Sequence, residues 1–331
     1  MPAVAKLNTE QYLKFNSALS RKSHNYCQMP LRHWIPLQKL SFKELFLYNN
    51  HPFLLAFLEN QFNSDPLTRN VVFKKFNFAL KSITDLDDWE LIFAKDNMMA
   101  LIEERLDKAI WWGLSANPSA IPLLEQYPYG IRWETLSANP NAIPILENNL
   151  DKVDWYHLSM NPNAIPILEK NLEKVDWKQL SGNPNAISIL AQHLDKVDWL
   201  MLSSNPNAIP ILEKNLDKVV WLSILGGLSS NPNAISLLEK NLDKVCWREL
   251  SRNPNAIPIL EKNLDKVDWF WLNDNPNAIQ ILSQNLDKVN WGRLSYNPNA
   301  MSLLELNQDE IDWEHLSRNP SIFEDEDYSF K

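Results

Sequence analysis

The amino-acid sequence predicts an all-α solenoid of short two-helix repeats, and three observations carry that reading. The dipeptide Asn-Pro begins at Asn117, Asn139, Asn161, Asn183, Asn205, Asn231, Asn253, Asn275, Asn297 and Asn319, always 22 residues apart except for one interval of 26. A tryptophan keeps the same beat, from Trp111 to Trp313, six residues ahead of Asn-Pro in every 22-residue copy. Within each copy the apolar residues fall at helical spacing. A fixed period of this length marks an array that grows along an axis, each copy burying its apolar side on its neighbours.

The copy from Asp154 to Val175 serves as the type. Asn161-Pro162 makes a turn, and Asn163 is the expected N-cap of a first helix, its side chain accepting from the next turn of backbone. Pro166 then falls in the first helical turn, where its missing N–H costs nothing. Ala164, Ile165, Ile167, Leu168 and Leu172 share one face of this helix, opposite Glu169, Lys170 and Asn171. A polar break at Glu173-Lys174 follows, usually Asp-Lys in other copies. Asp176 is placed to cap a second, shorter helix that begins at Trp177 and carries Leu180. Helices this short are marginal alone in water, so stacking must supply their stability.

Departures from the pattern are as informative as the pattern. One copy, Trp221-Leu222-Ser223-Ile224-Leu225-Gly226-Gly227-Leu228, has four extra residues. Four is close to one helical turn, so a second helix lengthened by a turn and ended or kinked at the two glycines is one reading. A simple tolerated duplication that maps to a loop is the favoured one. Upstream the array continues in worn form. Trp89 lies 22 residues before Trp111, and residues 51–62 align with residues 161–172 at an offset of five periods. The domain reading is therefore a divergent helical cap over residues 1–80, the repeat array over 81–322 and an acidic tail over 323–331.

The repeating unit Leu-Ser-x-Asn-Pro-Asn-Ala-Ile-Pro-Ile-Leu-Glu-Lys-Asn-Leu-Asp-Lys-Val-Asp-Trp resembles the short, about 22-residue helical repeats common in predicted proteins of giant DNA viruses. The resemblance covers about residues 84–322. It implies a viral origin, with the host cytoplasm or the virion as the location, and a repeat fold; it implies no activity and no catalytic residue.

Composition narrows the function classes. The net charge of −9 is uneven: residues 1–50 hold seven Lys/Arg against two Glu, a net of +5, which leaves −14 for the rest. A basic head can meet phosphate, but nucleic-acid affinity needs a continuous basic surface that the acidic repeats do not offer. With 6 Gly in 331 residues and no glycine-rich fingerprint, phosphate-loop and dinucleotide chemistry is not expected. The six histidines are scattered and the two cysteines, Cys27 and Cys246, are far apart, so neither a metal site nor a disulfide framework is expected. No cofactor is implied. The chain starts without a signal-peptide core and contains no apolar run of membrane-spanning length, which points to an intracellular protein with no membrane segment.

Comparison of the copies separates framework from variable positions. Trp, Leu, Asn-Pro-Asn-Ala, the Ile/Leu pair and Asp-Lys form the framework, with the tryptophans expected as buried wedges between helices and the asparagines as a ladder of side-chain bonds. Variation concentrates in the two residues after each Trp and in the residue before each Asn-Pro. The pairs read Trp112-Gly113, Glu134-Thr135, Tyr156-His157, Lys178-Gln179, Leu200-Met201, Arg248-Glu249, Phe270-Trp271, Gly292-Arg293 and Glu314-His315. Such tolerance predicts solvated positions, because a packed interior does not accept Lys, Glu, Gly and Trp interchangeably. Large apolar groups there make a candidate contact surface for a protein partner: Trp112, Tyr156, Leu200, Met201, Phe270, Trp271 and Tyr296. The competing reading is that these rings only cover adjacent helices. The expected function is a non-catalytic scaffold for protein–protein interaction. The alternatives are a structural or virion assembly component and nucleic-acid binding through the basic N-terminal region.

Overall fold

The computed structural model describes residues 31–49, Ala94, 111–221 and 227–323. The chain forms two compact units, one of residues 131–299 and one of residues 1–130 with 300–331. Both are built from short helices, as an all-α solenoid of short repeats requires. Among the described residues there is no strand, only an isolated antiparallel bridge between Leu31 and Phe323. The aligned stretch 51–62, the residues around Trp89 and the acidic tail from Glu324 onward lie outside the described residues.

In the unit of residues 131–299, each copy contributes one helix that starts at Trp and one that starts at Ile. In the type copy these are Trp155–Met160 and Ile165–Glu169, followed by the next Trp helix, Trp177–Gly182. Asp176 caps that helix by accepting from the Gln179 amide at 2.9 Å, and Pro166 sits in the first turn of the Ile helix. Two sequence expectations need correction. The Trp helix is the longer of the two, and Leu172 lies beyond the end of the Ile helix, half-buried. Asn163 is not the cap either. Ala164 holds the cap position without a side-chain bond. Asn161 Oδ1 instead accepts from the Asn163 amide at 3.0 Å, and the Asn163 side chain donates to the Pro140 carbonyl one copy back at 2.9 Å. Linking copies is the role that capping would have pre-empted.

The asparagine ladder is present, and a serine ladder runs beside it. Ser159 Oγ donates to the Trp155 carbonyl at 2.7 Å and accepts from the Asp176 amide of the next copy at 3.0 Å. Asn183 Nδ2 donates to the carbonyls of Ser159 and Asn161, both at 3.0 Å, and its Oδ1 accepts from the Asn185 amide at 3.0 Å. The same set recurs at Asn205, Asn253, Asn275 and Asn297. These amides are buried, and each is satisfied only because the previous copy supplies carbonyls at the right height. Around them Leu158, Ala164, Ile167, Leu168 and Val175, with their counterparts, form the apolar interior.

The tryptophans are not the buried wedges that their recurrence suggests. Every described repeat tryptophan, from Trp111 to Trp313, is half-buried. As the first residue of a six-residue helix, its ring has too little structure around it to be enclosed. The lysine that ends the same copy covers the open face instead: Lys174 Nζ lies 5.0 Å from the Trp155 ring, Lys196 4.8 Å from Trp177 and Lys218 5.0 Å from Trp199. This explains the Lys of the recurrent Asp-Lys, a cation held over an aromatic face.

In the 26-residue copy, residues 222–226, on which the longer-helix reading falls, lie outside the described residues. After them a 3-10 turn, Leu228–Ser230, precedes the next Asn-Pro corner. Leu228 N donates to the Val220 carbonyl at 2.9 Å, which brings the chain back to where it left the ladder. Asn231 still donates to Ser203 O at 3.1 Å and Asn205 O at 2.8 Å. Gly227 makes the return possible, with φ at 94°.

In the other unit, residues 31–49 pack on the last repeat. A 3-10 turn, Leu37–Lys39, leads into a helix, Phe42–Tyr48, which lies against the last Trp helix, Trp313–Arg318. Ser41 caps its own helix, accepting from the Glu44 amide at 3.4 Å.

Candidate binding surface

The two residues after each Trp have different fates, which corrects the expectation that both are solvated. The first points outward: Trp112, Tyr156 and Phe270 are each 48% exposed, and Glu134, Lys178 and Glu314 are exposed too. The second turns along the stack. Thr135, Gln179 and Glu249 are buried, while Met201 and Trp271 are half-buried. Leu200, a first-position residue, is half-buried, and Tyr296, just before Asn-Pro, is 53% exposed. On a short helix these adjacent positions differ by about 100° in direction, so the second turns toward the preceding copy while the first turns away from it.

That second position has a defined counterpart. It meets the residue before Asn-Pro in the preceding copy, 19 residues earlier. A Cβ added at Gly182 would come within 3.0 Å of Met201 Cε, so a missing side chain makes room for a large one. The Arg252 guanidinium lies 4.8 Å from the Trp271 ring. Arg293 forks onto Asp274, with Nε at 2.9 Å from Oδ1 and a second, shorter bond to Oδ2. In the 26-residue copy Gly227 takes this place, its amide donating to Ser204 Oγ at 2.6 Å. Small against large, cation against ring and acid against base are complementary pairs, and a solvated surface would not need them.

The densest group of these contacts joins three copies. Trp271 is approached by three guanidinium groups, Arg248 at 4.5 Å, Arg252 at 4.8 Å and Arg293 at 4.5 Å, and Arg293 also lies 4.3 Å from the Phe270 ring. Phe270 and Trp271 meet edge to face at 5.2 Å. Beside them, Ser230, Glu249, Arg252, Asn253, Pro254 and Asp274 line an open pocket of about 300 Å³. Its two carboxylates are occupied by arginines, loosely for Glu249 (3.6 Å to Arg248, 3.9 Å to Arg252) and tightly for Asp274. The charges of the pocket are thus already matched, Glu249 within its own helix and Asp274 by Arg293 of the next copy.

Of the sequence candidates, Phe270 and Trp271 are brought together through Arg293. Tyr156 stacks only on its neighbour His157, at 5.1 Å. Tyr156, Leu200 and Phe270 occupy equivalent places on separate copies. His157 Nδ1 also lies 3.0 Å from Asp154 Oδ1. Burial raises the Asp154 pKa, but the His157 amide, the His157 ring and the Tyr156 amide outweigh it and hold the carboxyl below its ordinary value; Asp312 is held low in the same way by His315 and Glu314.

The residues that sequence reasoning missed are at the N-terminal end. Leu37-Gln38-Lys39-Leu40-Ser41-Phe42 reproduces Leu172-Glu173-Lys174-Val175-Asp176-Trp177 in type, and Glu44 stands at the second position after Phe42. The signal was the order Leu-x-Lys-apolar-cap-aromatic, which a search on Asn-Pro and Trp passes over. Compared with known protein families, curated proteins and solved structures, the chain has no match. Among the described residues, no helix is long and apolar enough to cross a membrane, and no three His, Cys, Asp or Glu side chains converge as metal ligands would.

Proposed function

We propose that the chain is a non-catalytic helical repeat scaffold that binds a protein partner through the first residue after each repeat tryptophan. The observation that carries this reading is the division of labour between the paired variable positions. The second of each pair turns toward the neighbouring copy, whereas the first is exposed at Trp112, Glu134, Tyr156, Lys178, Phe270 and Glu314 and half-buried at Leu200, Arg248 and Gly292. Residue type at the outward position changes freely from copy to copy, and it includes Tyr156 and Phe270, large rings left about half exposed. Exposed aromatic groups on rigid supports lose little conformational entropy on binding and dominate many interfaces.

The reading rests on surface chemistry. Its acidic balance, −14 beyond residue 50, favours a partner with a basic or mixed surface over nucleic acid. Two basic residues of the N-terminal region are engaged with the last repeat: Arg32 Nε donates to the Ser321 carbonyl at 2.7 Å, and Lys39 lies 4.5 Å from the Trp313 ring. The test compares the full chain with Tyr156→Ala/Phe270→Ala as baits, with melting temperature as a check on folding. A protein captured by the first and lost, by tenfold or more, with the second supports the proposal. Equal recovery of every captured protein by both baits contradicts it.

A further inference from the structure

The end face of the last repeat is an acceptor for a repeat, and residues 31–49 are its occupant. Ser41 N donates to Ser317 Oγ at 2.7 Å, as Asp176 N does to Ser159 Oγ. Asn49 Nδ2 donates to Ser317 O at 3.2 Å and Asn319 O at 3.0 Å, as Asn183 does to Ser159 and Asn161. Lys39 covers Trp313 as Lys174 covers Trp155. Glu44, buried, meets Arg318 Nε at 2.5 Å, the same pairing of variable positions that joins Arg293 to Asp274, and Arg318 also stacks 4.6 Å from the Tyr48 ring. Leu31 bridges to Phe323, and Arg32 N donates to Ile322 O at 3.0 Å.

Interior copies are held in register partly because a few residues of chain join them. Here Ser41 and Ser317 are 276 residues apart, so only the face itself selects its occupant. The same face and the same segment exist on every copy of the molecule. We propose that the end face formed by Trp313–Arg318 and Pro320–Ile322 is a homotypic docking site. It is filled by the chain's own residues 31–49 in the monomer and by residues 31–49 of a second copy in a reciprocally exchanged dimer. Exchange of this kind makes no new type of contact, so its equilibrium is set by chain concentration against the effective concentration of the tethered segment. It rests on the terminal contacts alone and is independent of the outward aromatic residues.

The test uses two full-length chains, Glu44→Arg and Arg318→Glu. In either one alone the segment and the end face carry like charges. In a mixture both crossed pairings are attractive: the Glu44→Arg segment on the Arg318→Glu face, and the unaltered Glu44 on the unaltered Arg318. Native mass spectrometry of the equimolar mixture is expected to show a 1:1 dimer, with each variant alone monomeric and its 41–49 amides exchanging at least tenfold faster than in the wild type. Glu44→Arg/Arg318→Glu in one chain is expected to restore the protected monomer. A mixture that stays as two monomers, or single variants with wild-type protection of 41–49, overturns the proposal. A second measurement avoids substitutions altogether. Isotope-labelled and unlabelled wild-type chains, concentrated together and warmed below the melting transition, are expected to yield mixed dimers, and their absence overturns it as well.

Discussion

Two interfaces in this molecule use the same chemistry under different covalent conditions. Between interior copies, the serine and asparagine bonds join residues 17 to 24 positions apart. Between the last copy and residues 31–49, equivalent bonds join residues 268 to 276 apart. Loop-closure entropy grows with the logarithm of separation, so the second interface starts about 2 kcal/mol behind the first. That the same bonds form anyway shows that copy-to-copy recognition belongs to the surfaces and is not imposed by the short linkers.

The largest expected effect breaks the interior interface. Asn183→Ala leaves the Ser159 and Asn161 carbonyls without their donor in a buried place and frees the Asn185 amide, at a cost of about 3 kcal/mol. Because neighbouring copies depend on one another, chemical denaturation should show the loss in the main unfolding transition. Asn49→Ala removes the same kind of side chain at the terminal interface. Its effect should be confined to faster hydrogen exchange in residues 31–49, with the main transition unmoved.

The next effect runs in the stabilising direction. Cys246 stands where five of the ten copies have Asp, and its side chain makes no cap bond although its amide still donates to Ser229 Oγ at 2.9 Å. Cys246→Asp should restore the cap and raise stability by about 1 kcal/mol, read as a higher denaturation midpoint. Smaller still, Lys174→Ala should cost about 0.5 kcal/mol through the lost cation over Trp155, with a change in tryptophan fluorescence as its signature. The smallest expectation concerns pH. Folding lowers the pKa of Asp154 and Asp312 from the ordinary 3.8. Their contribution is therefore complete above that value and is lost as pH falls through the lower folded-state pKa. Asp154→Asn should flatten the acid limb of the stability profile below about pH 4 and leave the neutral region nearly unchanged.

Fold class, repeat boundaries and the asparagine ladder were legible in the sequence because each rests on strict periodicity. The burial of Trp was not, since recurrence reports that a position is constrained without saying whether by enclosure or by a partner such as Lys174. The pair at Gly227 and Ser204, which returns the chain to the ladder, is visible only in three dimensions. At the candidate surface, reading variability as exposure was right for Tyr156 and Phe270 and wrong for Met201 and Trp271. Complementary pairs vary together, so a position that changes from copy to copy can still be packed. Residues 37–49 escaped notice because Ser replaces Asp, Phe replaces Trp and one extra residue precedes Asn49.

The account depends on the second variable position being matched to its neighbour 19 residues away. A double-mutant cycle on Asp274→Ala and Arg293→Ala measures this directly through the melting and denaturation free energies of the four chains. Matching predicts a coupling of about 1 kcal/mol or more between the two sites. Costs that simply add, within about 0.3 kcal/mol, would mean that these residues merely sit side by side, and the neighbour-matching account would be wrong.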